Sequence, residues 1–138
     1  MVPSKYPLGN AKNYLKWLLY IAYENRLLGS TFKYSDAYLA AAVLSEVDPF
    51  RFPPLFSKTF KKAFFSLVNE GYLTVVDKNP PRTYKFSDRL EQYATGLRNI
   101  YNLVFPRYDE KKLESARKNV LKKFSNARKK RKSRKKKK

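Results

Sequence analysis

The carboxyl-terminal segment, RKKRKSRKKKK, limits how much of this chain can fold around a core. Its eleven residues are ten lysines and arginines and one serine, without an acidic or an apolar side chain. Because like charges repel and nothing here can be buried, we expect the segment to be disordered in isolation and to neutralise the phosphates of a polyanion. It supplies ten of the twenty formal positive charges of the protein. The expected partner is therefore a nucleic acid.

The rest of the chain is sufficient for one folded domain. The 138 residues are 43% hydrophobic and 16% aromatic, which is enough apolar surface to offset chain entropy. We predict three segments: a folded body at 1–108, a basic amphipathic helix at 109–127 and a polybasic tail at 128–138.

The chain contains no cysteine and no histidine. It therefore lacks any disulfide framework, any thiolate metal site, the commonest metal ligand and the usual general base. Its eleven acidic residues are scattered, whereas a site for hard cations needs clustered carboxylates. No G-x-x-x-x-G-K-[ST] phosphate loop is present. We expect a protein that is not an enzyme and that uses no metal and no cofactor.

No targeting or membrane-spanning segment is visible in the sequence. The amino terminus lacks the charged and then apolar order of a secretory signal. The most apolar stretch, Tyr14 to Ala22, is interrupted by Lys16 and is shorter than the ~20 residues needed to cross a bilayer. These features predict an intracellular protein without membrane contact, in the cytoplasm or nucleoid or associated with ribosomes.

Three helices are predicted in the first half of the body. The first begins after an N-cap at Asn10 and extends to about Leu28, with apolar residues at helical spacing on more than one side. The second covers Asp36 to Val47, with Ser35 as its N-cap. A third helix, from about Ser57 to Glu70, follows an extended connector that contains three prolines.

A β-hairpin and two further helices are predicted after these. The hairpin strands are Tyr72 to Val76 and Thr83 to Ser87. A fourth helix opens at Asp88, and its apolar stripe, Leu90 to Val104, either forms a homodimer surface or closes the core over the first helix. A fifth helix from Asp109 has one apolar side, formed by Leu113, Ala116, Val120 and Phe124.

The segment Leu67 to Leu90 (LVNEGYLTVVDKNPPRTYKFSDRL) resembles the winged helix-turn-helix superfamily of nucleic-acid-binding proteins. In that superfamily an L-x-x-x-G-Y-L end of the third helix leads into the first strand of the wing, and Y-K-F-S-D is similar to the second wing strand. The resemblance covers about residues 10–105. It implies a mostly α fold with a small β-hairpin, namely a winged-helix-like body followed by a basic helical or disordered extension.

The resemblance also implies which residues contact nucleic acid, because the third helix would be the recognition element and the wing would touch the neighbouring backbone. The matching positions in the third helix are Ser57, Lys58, Thr59, Lys61 and Lys62. Those at the hairpin tip are Lys78, Asn79 and Arg82. The tail adds Arg128, Lys129, Lys130, Arg131, Lys132, Arg134, Lys135, Lys136, Lys137 and Lys138. Each group has the alternative interpretation of a solvated charged surface, and Phe65 either packs under the wing or is presented to a base.

Two departures from the superfamily pattern affect the expected mode of binding. The connector Asp48 to Phe56 has nine residues, whereas the turn between the second and third helices of a helix-turn-helix has about 3 to 4 residues. The third helix also offers lysines but no arginine for bidentate base contacts. We therefore expect phosphate-dominated, weakly sequence-selective binding to DNA by a chromatin-like protein or transcriptional regulator. The alternative is a ribosomal or other structural RNA-binding protein whose tail threads into RNA.

Overall fold

The computed structural model describes residues 10–99 and 106–136, with side chains as far as residue 126. Five helices and one small antiparallel sheet make up these ranges, which confirms the predicted mostly α fold with a small hairpin. The helices are α1 (Ala11–Glu24), α2 (Tyr34–Val47), α3 (Ser57–Asn69), α4 (Asp88–Asn99) and α5 (Glu110–Lys136). The strands are β1 (Phe32–Lys33), β2 (Leu73–Asp77) and β3 (Thr83–Phe86).

Helix α1 lies at the centre of the core and contacts α2, α3 and α4. Its predicted start is confirmed, because the Asn13 amide donates to Oδ1 of Asn10 at 2.8 Å. Its predicted end is wrong by about four residues, since the helix stops at Glu24 and Arg26 adopts a left-handed φ of 61°. The Asn25 side chain explains this early end, because it bonds to the distant Pro106 carbonyl at 3.0 Å.

The sheet contains a strand that the sequence did not predict. The strand order is β1-β3-β2, with both pairs antiparallel and Phe32 opposite Tyr84. A strand of two residues is too short for any periodicity to be recognised. It also moves the start of α2 to Tyr34, where the Lys33 amide donates to Oδ2 of Asp36 at 3.0 Å. The predicted N-cap at Ser35 is therefore wrong, because this residue lies inside the first turn.

The apolar stripe of α4 is buried within the chain itself. Leu90, Ala94 and Leu97 are at most 3% exposed, and Leu90 and Leu97 belong to the main core around α1. The outer part of the predicted stripe, at Tyr101 and Val104, lies outside the described residues. The homodimer through this helix stays a prediction. The described part of its apolar stripe already packs against the core of the same chain.

Helix α5 packs along α2 through the predicted apolar side. Leu113, Ala116 and Val120 are buried against Val43, and Phe124 lies beside the Tyr38 ring at 5.7 Å between centroids. The helix then continues through the tail to Lys136, so the boundary expected at residue 128 is not a break in the backbone. Lysine and arginine are good helix formers, and extending an existing helix requires no new nucleus. Of the predicted helical or disordered extension, the structure shows the helical form as far as Lys136.

Within the ranges that the structure describes, none of the helices combines the length and the apolar character that a membrane span requires.

Candidate nucleic-acid interface

The exposed face of α3 consists of the lysines that the sequence predicted. Lys58, Lys61 and Lys62 are all exposed, whereas the opposite face is fully packed into the core. That buried face consists of Phe60, Ala63, Phe64 and Leu67. Of the ion pairs among the described residues, none involves the three lysines. Their charges are therefore available to an external anion.

The amino-terminal end of α3 adds backbone donors to this face. Phe56 is its N-cap, and no side chain of the described residues caps the helix there. The first amides of a helix have no intrahelical partner, and the helix dipole makes this end positive. Ser57 is exposed beside Lys58, so hydroxyl, ammonium and amide donors lie within one turn. This combination suits a phosphate.

Thr59 and Lys62 line an open cleft between α3 and the start of α1. The cleft has a volume of about 310 Å³, and Asn10 and Lys12 form its other side. Lys12 is paired with Glu70 at 2.9 Å, and this hydrogen bond lowers the pKa of the Glu70 carboxyl. The predicted hydroxyl of Thr59 is thus half-buried at the edge of the lysine face and not at its centre.

The hairpin tip is exposed at the three predicted residues. The Asn79 amide donates to Oδ1 of Asp77 at 2.9 Å, which forms a tight turn beside Lys78. The chain then passes through a cis peptide bond between Pro80 and Pro81 before it reaches Arg82. Lys78 and Asn79 therefore project at the tip, while Arg82 lies at the base of the loop.

A second open cleft connects the hairpin with α3. It has a volume of about 370 Å³, and its walls come from β1, α2, α3 and the hairpin. The lining residues are Lys33, Tyr34, Ser35, Phe65, Pro81, Arg82 and Tyr84. Its two cations are therefore Lys33 and Arg82, and α3 contributes Phe65 to the lining and not its lysines. The sequence did not indicate that Lys33 and Ser35 line this cleft, because it predicted the start of α2 two residues too late.

Phe65 continues the lysine face of α3 at helical spacing. Its ring is half-buried and stacks on Tyr34, with centroids 5.8 Å apart and an interplanar angle of 5°. It also meets Phe64 edge-on at 5.6 Å. The ring therefore packs on Tyr34 of α2, and the choice between packing under the wing and presentation to a base stays a prediction.

One lysine is buried and belongs to the core. Lys16 is 4% exposed, and its Nζ lies 4.0 Å from the ring centroids of both Tyr72 and Tyr93. Burial opposes ionisation of the Tyr72 hydroxyl, but the neighbouring Lys16 and Arg89 outweigh burial and lower its pKa. Cation–π contacts of this kind join α1 to the residue before β2 and to α4. This lysine therefore holds the fold together and is not a phosphate contact.

The predicted tail residues as far as Lys136 lie on α5, after Phe124, the last residue of the helix with a described contact to α2. The backbone is helical through Lys136, whereas Lys137 and Lys138 lie outside the described residues. No group of three or more acidic residues within the described ranges is placed to hold a metal ion.

Comparison of the chain with protein-family models, with curated proteins and with solved structures gives no match.

Proposed function

We propose that this protein is a non-catalytic DNA-binding protein that contacts the phosphates of a duplex through α3 and the β2–β3 hairpin. The observation that supports this best is the exposed lysine face of α3, whose Lys58, Lys61 and Lys62 form no ion pair among the described residues. One turn after Lys61, Phe65 lines a cleft that also contains the cations Lys33 and Arg82.

The order of elements supports a winged-helix arrangement for residues 10–99. Three helices precede the hairpin, and the short β1 between the first two pairs with β3. In this arrangement α3 is the recognition helix and the hairpin is the wing. Because α3 contains no arginine, its contacts would be to phosphates, with weak discrimination between base sequences.

The proposal includes no bond-making chemistry. Most carboxylates of the described residues serve caps, turns and ion pairs: Glu70 pairs with Lys12, and Glu46 pairs with Lys123 at 2.8 Å. Asp36 accepts the amide of Lys33, as an N-terminal turn of a helix requires. Carboxylates that already have these partners are poorly placed to hold a catalytic cation.

The decisive experiment replaces charges on α3 and measures the salt dependence of binding. We expect Lys61→Gln/Lys62→Gln to weaken binding to a 25-base-pair duplex and to reduce the slope of log affinity against log salt by about 2. The variant Arg107→Gln/Lys112→Gln removes the same charge from exposed positions outside α3 and the hairpin. Equal effects of the two variants would show that the lysine face of α3 is not a specific contact surface. Fluorescence anisotropy between 50 and 300 mM salt provides the measurement.

A structural RNA-binding role, as in a ribosomal protein, is the second candidate, and the length of α5 favours it. Among the residues whose side chains are described, the last residue of α5 packed on α2 is Phe124, and the helix continues twelve residues further, to Lys136. At 1.5 Å per residue this stretch of helix is about 18 Å long, enough to enter a groove between RNA helices. Cosedimentation with ribosomal subunits in high salt would support this role, whereas a DNA-binding protein would remain in the supernatant.

A further inference from the structure

The connector between α2 and α3, Asp48 to Phe56, presents one aromatic ring entirely to water. Phe50 is 100% exposed, whereas the next most exposed large apolar side chains of the described residues are Phe56 at 75% and Val76 at 51%. Burying a phenylalanine ring is favourable, so a ring held fully in water remains available to a partner.

The connector is anchored to the core on the carboxyl-terminal side of Phe50. Phe52 is completely buried, and its ring lies 5.2 Å from that of Trp17. The Tyr14 hydroxyl donates to the Pro53 carbonyl oxygen at 2.8 Å. Two residues after the exposed ring, the chain is therefore fixed against α1.

The other side of Phe50 is held equally firmly. The Phe52 amide donates to the Asp48 carbonyl oxygen at 2.9 Å, which closes a turn around Phe50. The Asp48 carboxylate accepts hydrogen bonds from the Tyr108 hydroxyl at 3.0 Å and from the Arg51 amide at 3.3 Å. A ring presented by a turn fixed at both ends loses little conformational entropy when it binds.

The charges around Phe50 favour a polyanionic partner. The adjacent Arg51 is exposed and lies 3.8 Å from Asp48, the only carboxylate of the connector, which also accepts the Tyr108 hydroxyl. The connector leads directly into the uncapped start of α3, with Lys58 in its first turn and without an ion pair among the described residues. An apolar ring close in sequence to an available cation matches the side chains that proteins insert between the base pairs of a duplex while they hold its phosphates.

We propose that Phe50 is an apolar wedge that inserts between adjacent base pairs of duplex DNA and kinks it. This inference rests on the proposed DNA binding and identifies the substrate as a deformable duplex. It also gives a reason for the nine-residue connector, which is longer than a helix-turn-helix needs. Pyrimidine–purine steps such as TA unstack most easily and would be the preferred sites of insertion.

The test measures bending and affinity on the same duplex. A 25-base-pair DNA with one central TA step carries a fluorescent donor and acceptor at its ends and 2-aminopurine beside the step. We expect the wild-type protein to bend it by at least about 20° and to raise the 2-aminopurine emission. The variant Phe50→Ala should lose both signals and bind about tenfold more weakly, whereas Phe50→Trp should retain them. Leu121→Ala, which truncates an apolar side chain on α5 that is 44% exposed, is the control and should behave as wild type.

The outcomes separate this inference from the proposed function. Salt-dependent binding without bending, or bending that Phe50→Ala leaves unchanged, overturns the wedge and leaves DNA binding intact. Absence of any binding by the wild-type protein overturns both. A loss of affinity in Phe50→Ala that is confined to single-stranded RNA, or a change only in self-association, also overturns insertion into duplex DNA. Because Phe50 has no packing partner to lose, circular dichroism of the variant should match that of the wild-type protein.

Discussion

At the scale of single residues, Tyr108 connects three separate parts of the chain. Its hydroxyl donates to Oδ2 of Asp48 at the end of α2, and its amide donates to Oδ1 of Asn25 at 2.8 Å after α1. Burial is the main cause that raises the pKa of Tyr108 to about 12, and the Asp48 carboxylate adds to it. The protonated phenol is therefore part of the folded structure.

The variant Tyr108→Phe removes the phenolic hydroxyl, so its free energy of unfolding should depend on pH differently from that of the wild-type protein. At pH 8 we expect the variant to have a free energy of unfolding about 1 kcal/mol lower than that of the wild-type protein, because one hydrogen bond usually contributes this much. In the unfolded chain this tyrosine ionises near pH 10, and in the folded protein near pH 12. A raised folded-state pKa gives stability that is complete below pH 10 and is lost as the pH rises toward 12. Urea unfolding at pH 8 and pH 11 should therefore show a smaller difference between the two proteins at pH 11. If the difference in unfolding free energy between the two proteins were the same at pH 8 and pH 11, the raised pKa of Tyr108 would be contradicted.

The contrast between Lys16 and Lys61 shows what a sequence reveals about single residues. Both are lysines in amphipathic helices, and the exposure of Lys61 follows from its place opposite the apolar face. Lys16 interrupts an apolar stretch, and its burial depends on Tyr72 and Tyr93, which reach it only through the fold. Periodicity predicts which side of a helix is buried, but not which distant rings accommodate a cation there.

At the scale of elements, the same reasoning explains which boundaries the sequence predicted. The apolar side of α5 could be predicted because Leu113, Ala116 and Val120 repeat at helical spacing and pack on one partner helix. The strand β1 could not be predicted, since its two residues have no sequence pattern of their own and form a strand only by pairing with β3. The cleft between α3 and the hairpin was only half predicted, because Lys33 enters it through that strand.

The packing of α5 on α2 can be tested with two neighbouring residues of α5. Val120 is 3% exposed and packs against Val43, whereas the adjacent Leu121 is 44% exposed. We expect Val120→Ala to lower the free energy of unfolding by about 1–2 kcal/mol, because it leaves a cavity between the two helices. Leu121→Ala should change it by less than about 0.5 kcal/mol. Urea denaturation followed by circular dichroism measures both, and equal effects would show that α5 does not dock through this side.

At the scale of the whole molecule, positive charge increases from the body toward the carboxyl terminus. The acidic residues of the described body are mostly engaged locally, as in the pairs of Glu24 with Arg98 and of Glu46 with Lys123. The last eleven residues hold half of the net charge, and as far as Lys136 they continue α5. This distribution suits two contacts with one polyanion, one through the body and one through the tail.

Removal of residues 128–138 should separate the contributions of body and tail to binding. If the intact protein neutralises about 6 to 10 phosphates, log affinity should fall with log salt with a slope of about −5 to −9. The truncation should flatten this slope by several units without lowering the unfolding free energy, because the described packing of α5 on α2, from Leu113 to Phe124, precedes the cut. A full-length variant with the ten tail cations replaced by glutamine should give the same slope, since charge and not chain length drives counterion release. An unchanged slope in both variants would mean that the tail contacts no phosphate and that the body alone binds.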